Sequence, residues 1–321
     1  MWFAIFGGLI IYGLFKLFFA GDDDVMEVET SDFNAIFAVA SRFEKLYGGK
    51  AYVGLRIPDA DTGSRQNIDL VVITKEELLV IAVKNLSGFV SINSDGSWVC
   101  DDGKHKAKTL PDPVEETKQL IPVIESYIEQ RGVDLPAGYL SCKVVLPNPK
   151  FRTIDSGLFP SEVITYDQWM QLKPGHSSFS GWMKGAFRGK KELQEEPLDQ
   201  KLKAILGTAP MWDKLELKGK YILGDFLEFK GKGEDVDYLR DIKRSKISHL
   251  TIQKTSMLGF APTRLQVLYA PRDYRSGGSA SASEWREVTV RSSTEILFQP
   301  QNSTKVRKFK LSSVISLTLS A

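Results

Sequence analysis

Two apolar runs, Ile68 to Ile73 and Leu78 to Lys84, are separated only by Thr74-Lys75-Glu76-Glu77. Each is rich in Val, Ile and Leu and too short for a stable helix, and a gap that tight joins them as a β-hairpin. A third run, Ala51 to Ile57, precedes them across a turn-rich stretch (58–66). Helical patterns flank the three strands. Phe33, Ile36, Phe37, Ala40, Phe43 and Tyr47 recur at helical spacing and stop at Gly48-Gly49. Pro113 opens a long helix with Leu120, Ile121, Ile124, Tyr127 and Ile128 on one face, ended by Gly132. The stretch between Gly88 and Trp98 reads as a loop, Cys142 to Leu146 as a fourth strand, and Val163 to Tyr166 as a fifth. The order α, β, β, β, α, β predicts an α/β core.

Ahead of this core, residues 1–20 carry one charge, Lys16, and end at Gly21-Asp22-Asp23-Asp24. As a helix they would span about 30 Å, the thickness of a bilayer's hydrocarbon. With no basic start and with Phe18 ahead of Ala20, they predict an uncleaved single-pass transmembrane anchor over 1–20 and an acidic spacer over 21–31. Cys100 and Cys142 fit no metal or disulfide spacing. A reducing compartment follows, with the body of the protein cytosolic or stromal. The triplets starting at Asn85 and Asn302 match glycosylation sequons, a pattern common by chance.

Chemistry concentrates on the hairpin. Strand alternation places Asp69 on one face with Val71 and Ile73, and Lys84 on one face with Ala82 and Val80. Pairing the strands brings Asp69, Ala82 and Lys84 together. A metal-dependent phosphodiesterase needs two acids to hold Mg²⁺ and a lysine beside them. Taken alone, Asp69 is also what a turn residue looks like, and Lys84-Asn85 is also a strand end.

With the later Asp95-Gly96-Ser97-Trp98, this pattern resembles the NERD domain, a nuclease-related family of the PD-(D/E)XK superfamily, over about residues 30–170. The resemblance implies an α+β restriction-endonuclease-like core of order αβββαβ in a domain over 32–170. It matches Asp69 to the first metal acid, Lys84 to the lysine, and Asn85, Gly88 and Trp98 to the positions that follow. The family's second acid falls on Ala82, and a methyl group ligates nothing. Glu116, or Glu115, on the second helix is the candidate replacement. The first helix lacks the family's Gly-Glu pair and offers only Glu44. Mg²⁺ is implied only if such a replacement works; otherwise no cofactor is, and no small-molecule cofactor is evident.

The second half differs in charge and pattern. Residues 1–200 hold 28 acidic and 21 basic side chains, residues 201–321 hold 12 and 21, so the formal net charge of +2 is a cancellation. A linker with short helices is expected over 171–206, and a β-rich domain, barrel or sandwich, over 207–321. Its basic clusters, Lys243, Arg244 and Lys246, then Lys305, Arg307 and Lys308, are candidate anion-binding groups for anionic lipid or nucleic acid. The sequence thus predicts a membrane-anchored, nuclease-related protein, catalytically inactive and acting in binding or scaffolding, with a lipid, nucleic acid or protein partner. The alternatives are a Mg²⁺-dependent nuclease with a relocated acid, and capture of anionic lipid or nucleic acid by the basic C-terminal domain.

Overall fold

A computed structural model describes residues 31–74, 76–103, 106–154, 156–172, 198–253, 264–272 and 285–320. The segments read as the anchor (1–20) and, Ser31 apart, the acidic spacer (21–31) lie outside the described residues. Among the described residues no helix is long and apolar enough to cross a membrane.

Helix α1 (31–47) leads into an antiparallel meander of β1 (Lys50–Pro58), β2 (Arg65–Ile73) and β3 (Leu78–Val83). Strands β7 (Leu140–Val145) and β9 (Val163–Ile164) join in parallel, giving the order β1-β2-β3-β7-β9. Both faces of this sheet are covered, which is why β2 and β3 read as unbroken apolar runs. The registers Leu70↔Ile81 and Val72↔Leu79 put those four side chains under α1, against Ile36, Val39 and Phe43. Val71, Ile73, Leu78 and Val80 face the other way, into a cluster with Ile124, Ile128, Leu202 and Leu206. Full burial of each such side chain is worth about 1.5–3 kcal/mol.

The long helix expected from Pro113 is two helices, α2 (Pro113–Lys118) and α3 (Leu120–Glu129). Pro122 is the physical reason. It has no N–H to give the carbonyl four residues back, at Lys118, so the ladder breaks there. Asp112 caps the start of α2, its carboxylate accepting from Val114 N at 2.9 Å.

The presumed loop at 88–98 is instead part of a second, four-stranded sheet, β6-β5-β4-β8. Its strands are β4 (Gly88–Ile92), β5 (Trp98–Asp101), β6 (Lys108–Leu110) and β8 (Phe151–Arg152). The Asn93-Ser94-Asp95-Gly96 signal marks only the hairpin tip, where Asn93 N donates to Ser97 O at 2.8 Å. Trp98 is fully buried and meets Phe159 edge-on at 5.1 Å, so its role is packing. The strand expected over Val163 to Tyr166 stops at Ile164, and α4 (Tyr166–Gln171) follows behind a Thr165 capping box.

Of the stretch read as a linker, 173–197 lie outside the described residues. The remainder forms α5 (Leu198–Gly207), whose Leu202 and Leu206 are fully buried in the core beneath β1 and β2. The C-terminal region is one eight-stranded antiparallel sheet, order β14-β13-β12-β17-β10-β11-β15-β16. Its strands are β10 (Asp213–Leu217), β11 (Lys220–Lys230), β12 (Ile247–Gln253), β13 (Arg264–Pro271), β14 (Arg286–Arg291), β15 (Glu295–Pro300), β16 (Arg307–Lys310) and β17 (Val314–Thr318). Bulges interrupt β10, β11 and β12 and bend the sheet. Helix α6 (Gly233–Leu239) packs on β11 and also on the edge strand β14, and Arg291 of β14 reaches Glu234 at 3.0 Å. The sheet is therefore rolled. His249 is structural: Thr318 Oγ1 lies 2.9 Å from Nδ1 and Thr251 Oγ1 lies 3.2 Å from Nε2.

The two halves are joined by backbone. Arg56 N donates to Pro210 O at 2.8 Å and Trp212 N to Gly54 O at 2.9 Å, so the outer edge of β1 continues into the second half. Tyr221 N donates to Asn34 Oδ1 at 2.8 Å, and one apolar cluster runs from α1 through both sheets.

Candidate functional site

Asp69 stands where β2 and β3 part. Continuing their register beyond Leu70↔Ile81 sets Asp69 opposite Ala82. One carboxylate oxygen of Asp69 accepts from Val83 N at 2.9 Å, taking the place of a carbonyl in the ladder. Asp69, Ala82, Lys84 and Glu116 all line a cavity of about 470 Å³. The residues that sequence brought together on paper thus line one cavity.

Lys84 is held at both ends. Its N–H donates to Val145 O at 3.0 Å, and its ammonium lies 3.4 Å from Glu116 Oε2. Glu116 therefore reaches the site across the cleft from α2. Glu115, one residue earlier on α2, turns away to Lys118 at 3.0 Å and lines no part of the cavity, so it supplies no replacement acid. Helical geometry separates the two neighbours by about 100°.

The acid that sequence reasoning missed is Asp32. Helix α1 begins early enough to include it, and its charge acts on Asp69. The Asn85 side chain binds both the Asp32 carboxylate and Ser31 Oγ, the latter at 2.8 Å. The signal was present: an acid in the first turn before Phe33 and Ile36. Glu44 instead sits at the far end of the helix, accepting from Ala51 N at 2.9 Å.

Burial pushes the Asp69 carboxyl above the usual carboxylate range. The Val83 N–H and Lys84 oppose this, and the charges of Asp32 and Glu116 add to it. Desolvation likewise raises Asp32, against the Asn85 hydrogen bond and the charges of Lys108 and Lys84. A carboxyl whose folded pKa is raised binds its proton more tightly folded than unfolded, so its contribution to stability falls as pH rises from the unfolded value to the folded one. Asp69→Asn keeps an oxygen for Val83 N and removes the charge. Urea melts are expected to show it more stable than wild type at pH 7 and equal to it below pH 3; a less stable variant at pH 7 would contradict the electrostatic account.

Gly88 shapes the end of the site. Its φ is +92°, and a Cβ there would lie 2.3 Å from Asp101 O and 2.5 Å from Asp102 Cα. Both obstacles are backbone and cannot turn aside. Gly88→Ala is expected to cost about 2–4 kcal/mol in a denaturant melt, from strain plus overlap, and a loss under ~1 kcal/mol would show that β4 and β5 can part freely.

Away from the cleft, the basic candidates divide. Arg244 is committed to Asp213 and, at 3.4 Å, to Asp225, and Lys246 pairs with Asp241 at 2.9 Å. Arg307 has a partner of its own. Lys243, Lys305 and Lys308 are exposed, the last on edge strand β16.

Residues 31–147 match the family model of NERD, the nuclease-related domain. This segment is a NERD domain. Neither the curated proteins nor the solved structures contain a match to the chain. The NERD match begins with α1 and ends just after β7, so it takes in Asp32, Asp69, Lys84 and Glu116, and none of the eight-stranded sheet.

The donor set in the NERD cleft does not fit a divalent metal. Among the described residues no three Asp, Glu, His or Cys side chains gather closely enough to hold one. Position 82 brings a methyl group, one Asp69 oxygen is taken by Val83 N–H, and Glu116 is turned to Lys84. What remains is a cationic group between carboxylates, able to bind a phosphate oxygen through Lys84 and to accept hydrogen bonds from hydroxyl or amino groups.

Proposed function

We propose that this protein uses its NERD cleft to bind nucleic acid without cutting it, and that residues 1–20 tether it to a membrane with its body on the cytosolic or stromal side. The reading is supported above all by Ala82, whose methyl group stands opposite Asp69 where a nuclease of this superfamily needs its second acid. Loss of that acid removes catalysis and leaves Lys84 to hold a phosphate. Full-length protein in detergent, mixed with labelled DNA and RNA in Mg²⁺ or Mn²⁺, is expected to retain the strands intact. Cleavage that Asp69→Ala abolishes would overturn the reading and establish the alternative, a nuclease with a relocated acid.

A second reading is favoured by the edge of the C-terminal sheet, where Lys305, Lys308 and Lys310 are exposed beside Val306, 46% accessible. A tethered protein would meet anionic head groups there at high local concentration. Charge reversal at Lys305 and Lys308 is then expected to abolish salt-sensitive sedimentation with phosphatidylserine vesicles.

A further inference from the structure

A larger cavity, about 750 Å³, opens on the α1 side of Lys84 and takes its walls from both halves of the chain. Lys106 and Lys108 come from the NERD domain, Gln301 and Asn302 from the turn between β15 and β16, and Asp69 is shared with the smaller cavity. The volume is that of a small-molecule site. Among the described residues, the ammonium groups of Lys106 and Lys108 make no hydrogen bond or salt bridge, although the Lys108 charge acts on Asp32, and the side-chain amides of Gln301 and Asn302 make no hydrogen bond.

The turn is firmly set. Gln301 N donates to Leu223 O at 2.8 Å, Gln299 Nε2 donates to Ser303 O at 3.0 Å, and Asn302 takes a φ of +63°. Two ammonium groups without a hydrogen-bonded partner therefore belong to one contributor to the cavity, and two such amides to the other. Ammonium groups suit a phosphate; an amide, offering a donor and an acceptor together, suits the edge of a nucleobase. The carboxylates of Asp32 and Asp69, which also line the cavity, can accept from sugar hydroxyls.

We propose that this cavity is a composite site for a nucleoside phosphate, either free or at the end of a strand, with Lys106 and Lys108 on the phosphate and Gln301 and Asn302 of the C-terminal sheet on the base. It rests on the reading of the cleft as a nucleic-acid binder, and it adds that the second half of the chain selects the ligand.

The test uses full-length protein in detergent and the fluorescence anisotropy of 5′-phosphorylated and 5′-hydroxyl hexanucleotides, with a nucleoside monophosphate as competitor. Wild type is expected to prefer the phosphorylated strand. Lys106→Ala with Lys108→Ala should erase that preference. Gln301→Ala with Asn302→Gly, which keeps the positive φ open to the turn, should weaken binding about tenfold with no change in melting temperature. Competition by the free nucleotide assigns the site to it, and failure to compete assigns it to strand ends. If the turn variant binds as wild type does, the composite site is wrong while the cleft reading stands. Binding of the nucleotide but of no strand would support the site and overturn the cleft reading, and binding of neither would overturn both.

Discussion

Ala82→Glu is expected to give the cleft a divalent-metal-dependent nuclease activity. The substitution places a carboxylate opposite Asp69, in the cavity that Lys84 also lines. Ala82 is half-buried at the edge of the cavity, so a longer side chain has space to extend into. The two acids and the lysine are then the set that phosphodiester cleavage needs. Cleavage of labelled DNA or RNA in Mn²⁺ is expected to exceed wild type by roughly 10²-fold or more, the scale on which one charge-stabilising group acts at a reacting centre. Ala82→Gln has the same shape without the charge and should stay inactive, and adding Asp69→Asn to Ala82→Glu should silence it again. A folded Ala82→Glu that neither binds Mn²⁺ in calorimetry nor cuts would show that position 82 is not what the cleft lacks.

The largest loss of stability is expected far from the cleft, at Asp213. Its side chain is completely inaccessible, and it accepts from Phe226 N at 2.8 Å, from Ser320 N at 2.7 Å and from the Arg244 guanidinium. Arg244 and Arg56 also share Asp225, and Arg56 stacks on Trp212 with its guanidinium carbon 3.7 Å from the ring centroid. Asp213→Ala would leave the Phe226 and Ser320 N–H groups without their acceptor and Arg244 with only the longer contact to Asp225. A loss of about 3–5 kcal/mol is expected in urea unfolding, much of a domain's usual 5–15 kcal/mol. Asp213→Asn, which keeps one acceptor oxygen, should lose less. A change under ~1 kcal/mol for the alanine variant would mean that the network does not carry the junction between the halves.

Much of the core was legible because local pattern and burial agree there. Helix α1 has apolar residues at the helical period, the β2–β3 hairpin and β7 are short apolar runs of strand length, and the NERD match covers the same span. Strands β10 and β16 were harder to see. Asp213–Leu217 and Arg307–Lys310 are short and mostly charged, and they are strands because neighbours on the sheet supply their hydrogen bonds. Helix α6 is obscure in sequence for a related reason: it opens on the glycine-rich Gly231-Lys232-Gly233-Glu234, a pattern typical of turns, and it packs on β11 and β14.

The cleft divides along the same line. Sequence alone determined that Asp69 and Lys84 meet and that Ala82 brings no oxygen, because strand alternation and hairpin pairing are local rules. Which distant groups join them was decided by the tertiary structure. Asp32 and Glu116 come from two different helices, and Gln301 and Asn302 come from more than two hundred residues downstream of Lys84. The same holds for the basic residues: Arg244 and Lys308 look alike in sequence, yet one is bound to two carboxylates and the other faces solvent. Side-chain chemistry can be read residue by residue, but whether a charge is free depends on what the rest of the chain brings within a few ångströms of it.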